Sequence, residues 1–298
     1  MRVFVTGATG FIGSAVVAEL TKAGHQVVGL ARSDAAAARL ADAGADVHRG
    51  SLDDPDSLAK GAAKADGVIH LAYNHDFSQI PAAAETDRHA IDAMGAALAG
   101  SGRPFIVACG MTFSTPGRAG TEEDAADPNG RHPRTPNEGL ALAWALRGVR
   151  ASVVRLAPSV HGNGDRGLVP ILIDIARNKG ASAYVGDGSN RWPAVHRLDV
   201  ASLFRLALES APAGTRLHGA GEEGVPIREV ADVIGRKLNL PVISKTPEEA
   251  AEHFGWMAHF IAADMPASSA ITRERFGWRP THVSLISDLG NGTYFKKK

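Results

Sequence analysis

The stretch RVFVTGATGFIGSAVVAELTKAG, residues 2–24, decides the fold. It opens with five strand-like residues, passes through Gly7, Gly10 and Gly13, and continues in a helix-like pattern from Ser14. Glycines at this spacing let the chain turn tightly, admit a pyrophosphate to the backbone N–H groups of a helix N-terminus, and let that helix pack closely on its strand. We therefore expect a dinucleotide-binding loop between a strand and a helix.

Strand and helix patterns alternate after this loop. They run as strand HQVVGLA (25–31), helix AAAARLADAG (35–44), strand ADVHRG (45–50), helix PDSLAKGAAKA (55–65) and strand GVIHLA (67–72). Alternation of this length predicts an α/β fold with a parallel sheet covered on both faces.

Composition narrows the class of protein. The 298 residues carry 32 basic and 32 acidic side chains, a balance that argues against nucleic acid as the main partner. We expect no membrane partner, because no apolar run approaches the ~20 residues that span a bilayer. The single cysteine, Cys109, forms no internal disulfide and is expected to be a small core residue. With a strand-like start instead of a signal peptide, these features predict a cytoplasmic protein; the terminal KKK reads as a solvated tail or an added scar.

Several further segments resemble one family. The loop Thr6–Gly13 is similar to the cofactor loop of the extended short-chain dehydrogenase/reductases, which include nucleotide-sugar epimerases, dehydratases and carbonyl reductases. The likeness continues through DGVIHLA (66–72), RPFIVACGM (103–111), SVVRLAPSVHG (152–162), VGDGSNRWPAVHRLDVASL (185–203) and SSAITRERFGWRPT (268–281). It thus covers nearly the whole chain.

The resemblance implies a Rossmann-type doubly wound parallel sheet with a smaller C-terminal substrate or lid domain. The cofactor domain is expected over residues 1–165 plus about 190–219, and the lid domain over about 166–189 and 220–298. Helices are predicted in the lid at 167–180, 226–240 and 247–261, where apolar residues recur at helical spacing.

The end of the second strand predicts the form of the cofactor. An acidic side chain there would bind the adenosine ribose of NAD, but the sequence has Arg32 followed by Ser33, which favours NADP(H). A solvated Arg32 is the alternative. Adenine is expected against Ser51, where the family usually has aspartate, and Leu52. The full set of expected cofactor contacts is Gly7, Thr9, Gly10, Phe11, Ile12, Gly13, Arg32, Ser33, Ser51, Leu52, Leu71 and Ala72.

The family's catalytic Tyr-x-x-x-Lys pair is missing. In the family, tyrosine moves a proton while hydride moves, and lysine holds the ribose and lowers the tyrosine pKa. Counting back from Glu138 puts Arg134 in the lysine position and Gly130 in the tyrosine position, within the stretch DPNGRHPRTPNEG (127–139). Because this stretch is rich in proline and glycine, we expect a loop in place of the first helical turns.

Reduction still needs a proton donor within hydrogen-bond reach, which can be a side chain or a water. The candidates are Tyr73, Thr112, which follows the Gly110 that replaces the family's serine, and His161, with Tyr184 and His196 also considered. Each has an ordinary structural explanation. Arg134 cannot deprotonate, so its expected role is to stabilise charge or hold the ribose.

The expected substrate pocket is partly aromatic. Its candidate residues are Tyr184, Trp192, His196, Trp256 and Phe260, some of which are equally explained as core. Such a pocket suits a small, fairly apolar molecule better than a nucleotide sugar. The stretch Asn74–Asp76 has no second ligand cluster in the sequence, so we predict no metal.

Two functions remain open on the sequence. One is an NADP(H)-dependent reductase of a C=O, C=N or activated C=C bond with an unusual proton donor. The other is a dinucleotide-binding redox sensor without turnover, which would explain the lost catalytic pair. An enclosed cleft beside the nicotinamide would favour the enzyme, whereas an exposed surface for a partner would favour the sensor. Homodimers are common in the resembling family, so a homodimer is expected by analogy.

Overall fold

The computed structural model describes residues 1–76, 79–111, 115, 117–126 and 132–296. Its strands are β1 Arg2–Thr6, β2 Gln26–Ala31, β3 Asp46–Arg49, β4 Gly67–His70, β5 Pro104–Gly110, β6 Arg150–Leu156, β7 Ser159–His161, β8 Ser182–Val185, β9 Arg191–His196, β10 Thr215–Gly219, β11 Glu222–Pro226 and β12 Val242–Lys245. Its α-helices are α1 Phe11–Lys22, α2 Asp34–Asp42, α3 Pro55–Ala63, α4 Ile80–Leu98, α5 Thr135–Ala143, α6 Leu168–Lys179, α7 Arg197–Ser210, α8 Ile227–Leu238, α9 Pro247–Phe254, α10 Ala258–Ile261, α11 Ala270–Phe276 and α12 Leu285–Asn291.

The main sheet has seven strands in the order β10-β6-β5-β4-β1-β2-β3, and every neighbouring pair is parallel. The strand order reverses direction at β1, so the crevice outside the carboxyl ends of β1 and β4 is where this class of sheet binds ligands. The predicted doubly wound α/β fold is confirmed.

Alternate residues of the buried strands pack on opposite faces of the sheet. Val3 and Val5 of β1 contact a core formed with α1 and α7, whereas Phe4 contacts the core formed with α3, α4 and α5. This period of two is the one expected of a strand covered on both sides. Cys109 is buried in β5, as expected, and burial raises the pKa of its thiol to about 12.

The second half of the chain adds two small sheets. In one, β9 pairs parallel with β7 and antiparallel with β11; in the other, β12 pairs parallel with β8. A third core joins these strands to α6, α8, α9 and α12. No helix in the described part of the chain is long and apolar enough to cross a membrane.

The helices predicted at 167–180 and 226–240 are confirmed as α6 and α8, but the predicted continuous helix over 247–261 is wrong. The chain forms α9, then a 3-10 turn at Gly255–Met257, then α10. The break falls at Gly255, whose φ of +56° is outside the helical region and is rarely adopted by residues with a side chain.

Candidate active site

The glycine loop has the geometry of a pyrophosphate cradle. A Cβ at Gly7 would lie 2.8 Å from the backbone nitrogen of Ala72, and one at Gly13 would lie 2.0 Å from the carbonyl oxygen of Gly7. The loop is therefore too tight for side chains at these positions. Gly10 caps α1 without a side-chain hydrogen bond, so the first backbone N–H groups of α1 face outward with the positive end of the helix dipole. Thr9, Phe11 and Ile12, at this same turn, are partly buried.

Cationic side chains lie at the ends of β2 and β3, where an adenosine ribose is expected. Arg32 is exposed, and Ser33 caps α2 by accepting a hydrogen bond from the Ala36 nitrogen at 3.2 Å. Asp34, the first residue of α2, pairs with Arg49 at 2.6 Å. Because Arg49 pairs with Asp34, the carboxylate at the start of α2, the region around Arg32 and the N-terminus of α2 remains suitable for binding an anion.

The expected adenine contacts lie beyond β3. The Ser51 hydroxyl bonds to Asp53, donating to the carboxylate at 3.2 Å and accepting from the backbone nitrogen at 3.1 Å. Leu52 is partly buried against the core on the α3 side. Asp53 thus stands two residues after the position where the family usually has aspartate.

The carboxyl ends of β1 and β4 are joined by a buried hydrogen-bond chain. The Thr6 hydroxyl accepts from the backbone nitrogens of Leu71 and Ala72, each at 3.2 Å. Both lone pairs are then used, so its hydrogen goes to His70 Nδ1 at 2.6 Å. His70 is fully buried and carries its ring proton on Nε2, which donates to Asp87 Oδ1 at 3.3 Å.

Asp87 is the centre of this network. Its side chain on α4 is 1% exposed, and it accepts from His70, from Asn137 Nδ2 at 2.7 Å and from Arg134. Burial opposes its ionisation, but the hydrogen bond from His70, the charge of Arg134 and the hydrogen bonds from Arg134 outweigh that effect and lower the pKa of the Asp87 carboxyl to about 2. The site therefore holds a fixed negative charge at neutral pH.

The guanidinium of Arg134 forms two hydrogen bonds to the Asp87 carboxylate. Its Nε donates to Asp87 Oδ2 and its Nη2 to Asp87 Oδ1, both at 3.0 Å, while Nη2 also donates to the Ala108 carbonyl on β5 at 2.9 Å. The guanidinium is 16% exposed. Arg134, which the sequence analysis expects in the family's lysine position, is thus held against the carboxyl end of the sheet by α4 and β5.

Tyr73 lies under this guanidinium. The Arg134 carbon Cζ is 4.0 Å from the centre of the Tyr73 ring, within cation–π range. The Tyr73 hydroxyl is buried and has no hydrogen-bond partner among the described residues. Burial raises its pKa, the charge of Arg134 opposes this, and Asp87 adds to it, so the phenol stays protonated at neutral pH. Thr112 and Gly130 lie outside the described residues.

His161 lies in a different environment. Its side chain is 1% exposed, its Nδ1 bonds to Asp288 Oδ2 at 3.0 Å, and its ring contacts that of His196 edge-on at 5.3 Å. These contacts tie His161 to α12 and the end of β9 and not to the Asp87–Arg134 network, so His161 is not the candidate donor beside that cation.

One group in the described part of the chain has the composition of a metal site: His196, Asp199 and His282, with ligand atoms within 4.8 Å of one another. Hydrogen bonds already engage them. Asp199 accepts from the backbone nitrogens of Thr281 and His282 and from His282 Nδ1 at 2.7 Å, and the two imidazoles stack in parallel at 4.7 Å. Parallel rings do not converge on one ion, so this group is better explained as the junction between α7 and the segment after α11.

The predicted pocket aromatics occupy unequal positions. Trp192 is 2% exposed, in the third core, and contacts Phe260 edge-on at 5.1 Å. Tyr184 is partly buried beside Arg228, and Trp256 is 55% exposed. Their role in lining a substrate cleft stays a prediction.

Sequence reasoning missed Thr6, His70, Asp87 and Asn137. For Asp87 a signal exists: it falls on the buried stripe of α4 between Ala83 and Ala90, and a carboxylate at such a position needs a partner. That the partner is Arg134 depends on the fold, because 46 residues separate the two in the chain.

The fold and the glycine loop define a dinucleotide-binding α/β protein. The profile of the NAD dependent epimerase/dehydratase family matches residues 3–218. The chain belongs to this family, and the recognised resemblance is confirmed.

Similar proteins include close and distant relatives. "Uncharacterized protein C2A9.02" of Schizosaccharomyces pombe is 50% identical over 99% of this chain and 100% of its own length. The 2-alkyl-3-oxoalkanoate reductase of Stenotrophomonas maltophilia is 28% identical over 82% of this chain and 78% of its own. A double mutant of DesIV, a dTDP-glucose 4,6-dehydratase from Streptomyces venezuelae solved with NAD bound, superimposes with a TM-score of 0.77 at 21% identity, covering 99% and 96% of the two chains.

Family membership and these relatives support an NAD(P)-dependent oxidoreductase of the extended short-chain dehydrogenase/reductase type. The cradle at Gly7 and Gly13 and the open N-terminus of α1 fit a nicotinamide dinucleotide. That cofactor, when bound, supplies the hydride.

Proposed function

We propose that this protein is an NADP(H)-dependent reductase of a C=O, C=N or activated C=C bond in a small, fairly apolar molecule. The observation that carries the proposal is the Arg134 guanidinium, fixed by Asp87 and Ala108 at the carboxyl ends of the strands beside the cofactor loop. A fixed cation there can stabilise the negative charge that develops on a carbonyl oxygen as it is reduced.

The proposed preference for NADP(H) rests on the residues that directly follow β2. Arg32 is exposed and near the N-terminus of α2, Ser33 presents a hydroxyl, and Asp34 is neutralised by Arg49. A guanidinium binds a 2′-phosphate by charge-assisted hydrogen bonds, which an NAD ribose cannot offer.

Among candidate substrates, 3-oxo acids and their esters come first. The relative named 2-alkyl-3-oxoalkanoate reductase supports this class. In a compound of that name, the 3-oxo carbonyl lies next to the carbon that carries the apolar alkyl chain. Interconversion of nucleotide sugars is disfavoured because the tyrosine expected of the family is replaced by Gly130.

The first experiment is a fluorescence titration of the purified protein with NADPH and, separately, with NADH. NADPH is expected to bind at least ~10-fold more tightly. A panel of ethyl 3-oxobutanoate, cyclic imines and enones is then screened by loss of nicotinamide absorbance. Binding of neither dinucleotide, or binding without turnover of any compound in the panel, would contradict the proposal, the second result favouring a sensor.

A further inference from the structure

We infer that Tyr73 is the catalytic proton donor of this reductase and that Asp87 and Arg134 are the ion pair that positions it, an inference that rests on the proposed function. Three observations carry it: the place of Arg134, the buried network behind Asp87, and the unpartnered hydroxyl of Tyr73.

The pair of Asp87 and Arg134 takes over part of the role of the family's lysine, because it fixes a cation beside the proton donor. Arg134 is held bidentately by a carboxylate that is 1% exposed, and Asp87 is itself fixed by His70 and Asn137. A bidentate pair of this kind is directional, so the plane of the guanidinium is set by the network behind it. The chain from Thr6 to Arg134 thus links the cofactor loop to the residue that contacts Tyr73.

Tyr73 has the state that a donor needs. Its hydroxyl is protonated at neutral pH, is buried, and makes no hydrogen bond with any described residue. A substrate oxygen would supply the partner that this hydroxyl lacks, and the fixed cation over its ring distinguishes Tyr73 from the other unpartnered buried polar atoms of the described chain, such as His161 Nε2. The cation over its ring stabilises the phenolate more than the phenol, because the phenolate ring is the more electron-rich.

The proton step balances as follows. Hydride adds to the carbonyl carbon, and the electron pair of the C=O π bond moves to oxygen. The Tyr73 O–H bond breaks while a bond forms between that hydrogen and the substrate oxygen, leaving an alcohol and a phenolate beside Arg134. Solvent then returns a proton to the phenolate. The oxidant and reductant are the carbonyl substrate and the reduced nicotinamide of the proposed reaction.

The first test uses the absorbance of tyrosinate and needs no substrate. The chain has three tyrosines, Tyr73, Tyr184 and Tyr294, and burial together with Asp165 raises the pKa of Tyr294 far above that of a free tyrosine. The Tyr73 transition is obtained by subtracting the alkaline titration of Tyr73→Phe from that of the intact protein. Arg134→Met is expected to move this transition to higher pH, because it removes the charge that favours the phenolate, and Arg134→Lys is expected to move it less. An unchanged transition in Arg134→Met would overturn the role of the cation.

The second test measures reduction of ethyl 3-oxobutanoate by NADPH. Tyr73→Phe is expected to lower kcat at least ~100-fold, with NADPH affinity kept within about twofold. Asp87→Asn is expected to lower kcat by about tenfold and to displace the pH profile. Asp92→Asn, a partly exposed carboxylate one turn further along α4, serves as the matched control and should leave both unchanged.

The outcomes separate the two proposals. Turnover by the intact protein that survives in Tyr73→Phe with the same pH profile would overturn the inference and leave the reductase in place. Absence of turnover in the intact protein would count against the reductase, and the absorbance titration would still decide whether Arg134 controls the ionisation of Tyr73. Circular dichroism and NADPH binding verify that each variant is folded.

Discussion

Arg134 differs chemically from the lysine that the resembling family would lead one to expect at its position. A lysine ammonium can lose its proton and reaches a ribose hydroxyl as a point charge, whereas a guanidinium keeps its charge and binds carboxylates through a planar fork. Arg134 uses that fork on Asp87, so the substitution is matched by a second residue on α4. The two positions are best considered as one unit, and a change at either should affect the other.

The proposed role of Arg32 in deciding between the two dinucleotides can be tested alone. Arg32→Ala is expected to weaken NADPH by about 10- to 100-fold, since a charged hydrogen bond contributes about 1.5–3 kcal/mol, and to leave NADH nearly unchanged. Fluorescence titration with both dinucleotides measures the two affinities. Arg39→Ala, an exposed arginine toward the end of α2, is the control. An equal loss for NADPH and NADH would show that Arg32 does not read the phosphate.

At the same scale, the sequence predicted some site residues and missed others for a physical reason. The glycine loop is local, so the spacing of Gly7, Gly10 and Gly13, together with the strand and helix patterns around it, predicts it. The pair of Arg134 with Asp87 is not local: it exists because α4 and the start of α5 pack on the same face of the sheet. The sequence placed Arg134 by counting from Glu138, but only the fold identifies its partner.

At the scale of elements, the glycine at the α9–α10 break is the most informative position. Apolar spacing in 247–261 fits one helix, but Gly255 has φ of +56° and ψ of −129°, which turns the chain between α9 and α10. Periodicity reports which residues are buried and does not detect a one-residue change of direction, so the continuous helix was predicted wrongly.

Gly255→Ala tests this explanation. Apart from its neighbours in the chain, no described residue has an atom within 4 Å of the added Cβ, so any cost comes from the backbone conformation. We expect the free energy of unfolding to fall by about 1–2 kcal/mol, measured by urea denaturation. Gly139→Ala, in the interior of α5 with equally open surroundings, should instead raise it by about 0.5–1 kcal/mol. Stabilisation by both substitutions would mean that the backbone at Gly255 adapts to the helix.

At the scale of the whole molecule, the Asp87 network joins parts of the chain that are far apart in sequence. It contacts the ends of β1 and β4 through Thr6 and His70, and α5 through Asn137 and Arg134. The carboxylate to which we assign the positioning of the site therefore also contributes to the packing of α4 and α5 on the main sheet. Loss of the Asp87 carboxylate should therefore lower the free energy of global unfolding.

This dual role predicts a pH dependence with a definite sign. The folded-state pKa of Asp87 is about 2, below its ordinary value of 3.8, so its contribution is complete above about pH 4 and is lost as pH falls toward 2. The shift corresponds to about 2 kcal/mol in full, of which about 1 kcal/mol is lost by pH 3. Urea denaturation at pH 6 and pH 3 measures this loss.

Asp87→Asn should remove that part of the acid sensitivity and, at pH 6, lower the free energy of unfolding by about 3 kcal/mol, because it leaves the largely buried charge of Arg134 uncompensated. Asp92→Asn should keep the acid sensitivity of the intact protein, since that carboxylate is partly exposed. If Asp87→Asn lost stability between pH 6 and pH 3 as steeply as the intact protein, folding would not lower the pKa of Asp87. The pair with Arg134 would then not favour the ionised carboxylate over the protonated one.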